Sequence, residues 1–153
     1  MAVVPGIDVL TGDLRRMVRG RKVAVLGHAA SVGRGLDYAW DLLADAGAKV
    51  VSLLGPEHGL FGEAQDMEEV RSGRAMVRGR EVPVHSLYGG SEETLAPRVE
   101  MLEGAEALVV DLQDVGARYY TFAATADMAA AACLDAGVEV LIADRPNPLG
   151  GEA

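Results

Sequence analysis

Four short apolar runs constrain the fold of this chain more than any other feature: Val23-Ala24-Val25-Leu26, Val50-Val51-Ser52-Leu53-Leu54, Ala107-Leu108-Val109-Val110 and Val138-Glu139-Val140-Leu141-Ile142-Ala143. Each has the length of a strand and is nearly continuous rather than alternating. That pattern belongs to strands covered on both faces, as in a parallel sheet sandwiched by helices.

The segments between the runs supply those helices. Leu36, Ala39, Trp40, Leu43 and Ala46 recur at helical spacing before Gly47, which suits the left-handed residue that ends a helix. Phe122, Ala126, Ala129, Cys133 and Ala136 repeat the pattern before Gly137, among alanines that permit close packing on a sheet. Glu81-Val82-Pro83-Val84 reads as a weaker strand, restricted by its proline to an edge or a strand start. A capped helix is expected from Ser91 to about Glu100. The predicted architecture is an α/β fold, an open and mostly parallel sheet with helices on both faces, formed by the 153 residues as one domain.

Composition narrows the function. Half the residues are hydrophobic, 24% are charged, and the net charge of -9 repels a nucleic-acid backbone. The one basic cluster, Arg15, Arg16, Arg19, Arg21 and Lys22, reads as a solvated helix end before the first strand. The single cysteine, Cys133, sits at an apolar helical position and offers no disulfide. The chain shows no secretion-signal pattern and no apolar run long enough to span a bilayer, so no membrane span is expected.

In open α/β sheets ligands bind beyond the carboxyl ends of the strands, so the residues following each run are the candidates. They are Gly27 and His28; Glu57 and His58; His85 and Tyr88; Asp111, Gln113 and Asp114; and Asp144, Arg145 and Asn147. In "LLGPEHGLFG", Gly55-Pro56 stops the second strand and presents Glu57 and His58 on a tight loop. In "VVDLQDVGARYYTF", the side chains of Asp111, Gln113, Asp114, Arg118, Tyr119, Tyr120 and Thr121 crowd one loop. That density of hydrogen-bonding groups suits a polyhydroxylated ligand, with Arg118 able to hold a carboxylate; the alternative is a structural Asp114–Arg118 ion pair. In "ADRPNPLGG", Asp144, Arg145 and Asn147 are expected outside the core, either fixing their loop or meeting a ligand.

Two sharper readings are weaker. "LGHAASVGRG" lacks the glycine spacing of a dinucleotide fingerprint and the lysine of a P-loop, so no nucleotide cofactor is expected. His28, His58 and His85, with Asp111 or Asp144, form a conceivable metal set, but no metal-binding helical pair or Cys-x-x-Cys motif supports it.

Four motifs taken in order, "GPEHGLFGEAQD", "VPVHSLYG", "VVDLQDVGARYYTF" and "DRPNPLGG", resemble the exo-β-N-acetylmuramidases of the NamZ type, also known as DUF1343. "GIDVL" and "GRKVAVLGHAASVGRGLDYAWDLL" resemble the start of that family, so the likeness covers nearly the whole chain. The resemblance implies a Rossmann-like domain without a dinucleotide or other cofactor, removing terminal N-acetylmuramic acid from peptidoglycan fragments. It implies Glu57 as catalytic acid/base, with Tyr88 and Arg118 among the residues shaping the sugar site.

Glycoside hydrolysis ordinarily needs a second group, for which Asp111, Asp114 and Asp144 are available at the same edge and Asp114 is preferred. His58, Tyr88, Asp111, Gln113, Arg118, Tyr119, Asp144, Arg145 and Asn147 are then the candidate substrate contacts. Gly27-His28 stands where the family usually carries a Thr-Asn-like pair. The family also has a second domain after the DRPNP motif, and the sugar cleft is expected between the two.

Overall fold

The computed structural model describes residues 3–62, 72–87, 95–118 and 120–149. Its six-stranded sheet has the order β3-β4-β2-β1-β5-β6. The strands are β1 Lys22–Gly27, β2 Lys49–Gly55, β3 Gly73–Val77, β4 Arg80–Ser86, β5 Ala107–Asp111 and β6 Glu139–Ile142. Only β3 runs antiparallel, against β4; every other neighbouring pair is parallel.

Among the parallel strands the chain winds outward from β1 through β2 to β4, then returns to the other side of β1 as β5 and β6. The reversal between β1 and β5 is the point at which doubly wound sheets open a crevice for ligands.

The continuous apolar runs are explained by two-sided burial. Val23 and Val25 of β1 join a cluster with Ile7, Trp40, Leu43 and Leu53, under α1 (Gly6–Thr11) and α2 (Ala39–Asp45). Ala24 and Leu26, on the alternate positions, join Leu54, Leu102, Leu108, Ala129 and Cys133, under α3 (Phe122–Ala136). Each fully buried Val or Leu contributes about 1.5–3 kcal/mol of transfer free energy, so both faces of β1 favour the centre of the sheet.

The structure departs from expectation in five places. β4 is neither an edge strand nor one that starts at its proline: it lies between β3 and β2 with Pro83 at its fourth residue, tolerated because pairing with β2 begins only at Val84. Leu36 is not on the buried face of a helix: it is 78% exposed with φ +66°, and α2 begins only at Ala39. Of the helix expected over Ser91–Glu100, positions 91–94 lie outside the described residues; the remainder holds only a 3-10 turn, Val99–Leu102, since Pro97 disfavours helix at the residue before it. The edge strand β3 was not expected, because Arg74 and Met76 are exposed and leave little apolar pattern. It is joined to β4 by a tight turn in which Arg78 and Gly79 have φ +44° and +80°, and Arg78 reaches Asp37 and Asp45 beside α2.

The basic segment before β1 contains a 3-10 turn, Arg15–Met17, rather than a long helix. Arg15 donates from Nε to the Ala46 carbonyl at 2.7 Å, capping the end of α2, and Arg21 pairs with Glu139 at 2.7 Å. No helix among the described residues is long and apolar enough to cross a membrane.

Candidate functional site

The Glu57 loop is built by a close approach of backbone to backbone. A Cβ on Gly55 would lie 2.7 Å from the Leu60 amide nitrogen, so only glycine lets the chain fold back over the end of β2. The Gly59 amide closes the turn on the Pro56 carbonyl at 3.0 Å, with His58 and Gly59 both left-handed at φ +72° and +82°. A left-handed histidine is uncommon and costs about 1–2 kcal/mol. Gly55→Ala is expected to lower stability by about 1–3 kcal/mol through overpacking, read as a reduced thermal unfolding midpoint; an unchanged midpoint would contradict this packing.

The loop delivers a half-buried Glu57 carboxylate to the start of α3. Thr121 donates from Oγ1 to Glu57 Oε2 at 2.7 Å. Tyr120 stands close enough that, after burial, the Glu57 charge helps to raise its phenol pKa. The Phe122 ring packs on Tyr120 and, edge to face, on His28, with centroids 4.6 Å apart in both pairs.

His28 joins this group from the end of β1. Its amide donates to Ser31 Oγ at 2.8 Å, and its Nε2 accepts the Gln113 backbone N–H at 3.2 Å. An accepting Nε2 carries no proton, so the ring is neutral with its hydrogen on Nδ1. Burial, assisted by the Arg145 charge, lowers its pKa to about 4.

The unfolded histidine, near 6.5, therefore binds a proton that the folded one refuses. Its contribution is full above pH 6.5 and is lost as pH falls from about 6.5 to about 4. His85, its pKa lowered by burial and by Arg98, acts in the same direction. Urea midpoints are expected to fall between pH 7 and pH 5 in the native chain and to fall less in His28→Gln; equal falls would remove His28 as the cause.

A second set of bonds stitches the loops after β5 and β6. Asp111 ends β5 with its side chain fully buried, and Arg145 grips both its oxygens, donating from Nη2 to Oδ2 at 2.7 Å and from Nε to Oδ1. Arg145 Nη2 also donates to the Val32 carbonyl at 2.9 Å, and Ser31 Oγ donates to the Asp111 carbonyl. Burial pushes the Asp111 carboxyl above its ordinary pKa while the guanidinium pulls against it. Gln113 donates from Nε2 to the Pro146 carbonyl at 2.8 Å, and Asn147 from Nδ2 to Asp114 Oδ2 at 3.1 Å; Asp114 Oδ1 accepts the Gly116 amide.

These contacts correct part of the sequence reading. Arg145, expected outside the core, has a side chain only 8% exposed and turned inward onto Asp111. Contact with a substrate through the Asp111 side chain is not available in this arrangement. Gln113, Asp114 and Asn147 hold their loops together, while Asp114 remains exposed beside a groove whose walls include Leu112, Phe122, Ala123 and Asp144.

The expected alternative of an Asp114–Arg118 ion pair does not occur: Arg118 is exposed and pairs with no carboxylate among the described residues. His58 is half-buried and Asp144 exposed; Tyr88 and Tyr119 lie outside the described residues. Among the described residues no three His, Cys, Asp or Glu side chains are grouped to hold a metal ion.

Thr121 and Tyr120, named above only within the crowded polar loop, are the residues that touch or flank Glu57, and His28, a strand-end candidate, joins them through the Phe122 ring. The composition of the motif marked the first two as hydrogen-bonding groups, but no local pattern paired them with Glu57.

Three comparisons bear on this arrangement. The family model for the N-terminal part of exo-β-N-acetylmuramidase NamZ matches residues 23–153. The peptidoglycan β-N-acetylmuramidase NamZ of Bacillus subtilis (strain 168) is 39% identical over 150 residues, covering 97% of this chain and 35% of the relative.

Two crystal structures of DUF1343 family proteins from Bacteroides fragilis NCTC 9343 superpose with TM-scores of 0.82 and 0.68, at 33% and 26% identity. They cover 98% and 97% of this chain, and 36% of each of those chains. The chain spans about a third of the length of the curated relative it matches.

Proposed function

Because the chain belongs to the exo-β-N-acetylmuramidase NamZ family, matching its N-terminal part, we propose that it carries the glutamate of a glycosidase site for terminal N-acetylmuramic acid on peptidoglycan fragments. The observation that carries this reading is the Glu57 carboxylate, held by Thr121 at the mouth of the sheet and flanked by Tyr120.

In this reading Glu57 protonates the oxygen of the leaving sugar, and a second group across the scissile bond acts as base or nucleophile. Asp114 takes that second role. It is exposed at the same edge, and its bonds to Gly116 and Asn147 fix its direction without neutralising it. The guanidinium of Arg118 meets the lactyl carboxylate that distinguishes muramic acid from glucosamine. His58, Tyr88, Tyr119 and Asp144 supply further sugar contacts. A second domain, in this polypeptide or another, completes the cleft, consistent with relatives nearly three times as long.

The test is release of 4-nitrophenol from its β-N-acetylmuramide by this chain and by a form extended to the length of the relatives. The extended form is expected to turn the substrate over and to ignore a chelator. If neither form releases nitrophenol, while N-acetylmuramic acid binds and protects the chain from unfolding, the alternative of a sugar-binding module without catalysis replaces this reading. Activity abolished by chelation and restored by a metal ion would instead favour a metal-dependent hydrolase.

A further inference from the structure

Thr121 immediately precedes α3, where a threonine ordinarily turns its hydroxyl back to accept an amide of the first helical turn. Here it does not. Its backbone is right-handed helical at φ -77° and ψ -13°, and its side chain makes no capping bond. The hydroxyl is directed instead to Glu57 Oε2 at 2.7 Å, a residue 64 positions earlier on a different loop. A helix that forgoes a cap at its own start has given that group another task, and such local exceptions collect at functional sites.

The donor is itself anchored. The Thr121 carbonyl accepts both the Thr125 amide at 2.8 Å and Thr125 Oγ1 at 3.0 Å, and Thr125 is buried. Phe122, 2% exposed, pins the next position between His28 and Tyr120. The hydroxyl thus projects from a rigid turn, whereas Glu57 projects from a loop whose geometry depends on two left-handed residues.

From these observations we propose that Thr121 is a positioning residue for Glu57: it clamps one carboxylate oxygen to α3 and leaves Oε1 to face the substrate. The inference rests on the glycosidase reading of Glu57. Its physical basis is that a reacting group displaced by about 1 Å loses up to about 100-fold in rate.

The test, made in the form extended to the length of the relatives, compares Thr121→Val, which keeps the shape and loses the donor, with Thr121→Ser, which keeps the donor. Thr121→Val is expected to lower kcat on the nitrophenyl muramide by about 10- to 100-fold, with KM within about threefold, while Thr121→Ser stays within about threefold of the native rate. Side-chain scalar couplings of Glu57, measured by NMR, are expected to report one rotamer in the native and Ser proteins and averaging in the Val protein.

Native kcat in Thr121→Val, equal losses in both variants, or an ordered Glu57 in the Val protein would each overturn the proposal. A native protein inert toward muramides whose Glu57 rotamer is still released by Thr121→Val would count against the glycosidase reading while supporting the clamp.

Discussion

Arg145→Met is expected to destabilise the fold by about 3–5 kcal/mol, the usual result of removing one member of a buried ion pair. The Asp111 side chain is fully buried, and the Arg145 guanidinium bonds both its oxygens and the Val32 carbonyl. Without the arginine, a carboxylate and a carbonyl are left in a region water scarcely reaches. A domain of this size is stable by about 5–15 kcal/mol, so the variant loses a large share of the total.

The deficit is expected to narrow on acidification. An unpaired, buried Asp111 has a carboxyl pKa raised above its unfolded value, so the folded state binds a proton more readily and gains relative stability as pH falls. Replacing both partners, Arg145→Met with Asp111→Leu, is expected to cost less than the sum of the single changes, because no charge is left unmatched. Urea unfolding of the three variants measures all of this, and a loss below about 1 kcal/mol in Arg145→Met would show that the pair is not buried as described.

Glu57→Gln is expected to produce the largest change in activity. General acid–base catalysis contributes about 100- to 10,000-fold, and glutamine removes the transferable proton with almost no change in shape. Its amide oxygen can still accept the Thr121 hydroxyl, so the loop and the stability of the fold are expected to hold within about 1 kcal/mol. KM for the muramide should change little while kcat collapses, the signature of an interaction made only in the transition state. More than a tenth of native kcat in Glu57→Gln would mean that another group protonates the leaving sugar.

Much of the architecture was legible because burial on both faces imposes an unmistakable pattern. Val23 to Leu26 and Ala107 to Val110 admit almost no other reading, and Gly47 and Gly137 end α2 and α3 at left-handed positions. The edge strand β3 was hidden for the complementary reason: an edge needs to bury little, and Arg74 and Met76 face outward.

The site was legible as a set of positions but not as a set of contacts. That Glu57 and the polar motif after β5 lie at the same edge follows from sheet topology. Which polar side chain turns inward does not, since a residue after a strand can face solvent or fold beneath the next loop. Arg145 was therefore read as a surface group, although its partner Asp111 closes a strand whose burial is unbroken. The Thr121–Glu57 bond joins two loops 64 residues apart, and no local pattern announces it.

The position of β1 in the sheet has a consequence for the order in which the molecule can assemble. Its one neighbour, β2, lies close in sequence, but the other, β5, is separated from it by about 80 residues. Until β5 arrives, one side of this central strand presents an unsatisfied ladder of amides and carbonyls, and loop closure of that span must precede any gain from pairing. Glu57 belongs to the half made before that event, whereas Thr121 and Arg145 belong to the half made after it. Partly folded chains therefore lack the Thr121–Glu57 bond, and the same docking step that protects β1 from intermolecular pairing also brings these two loops together.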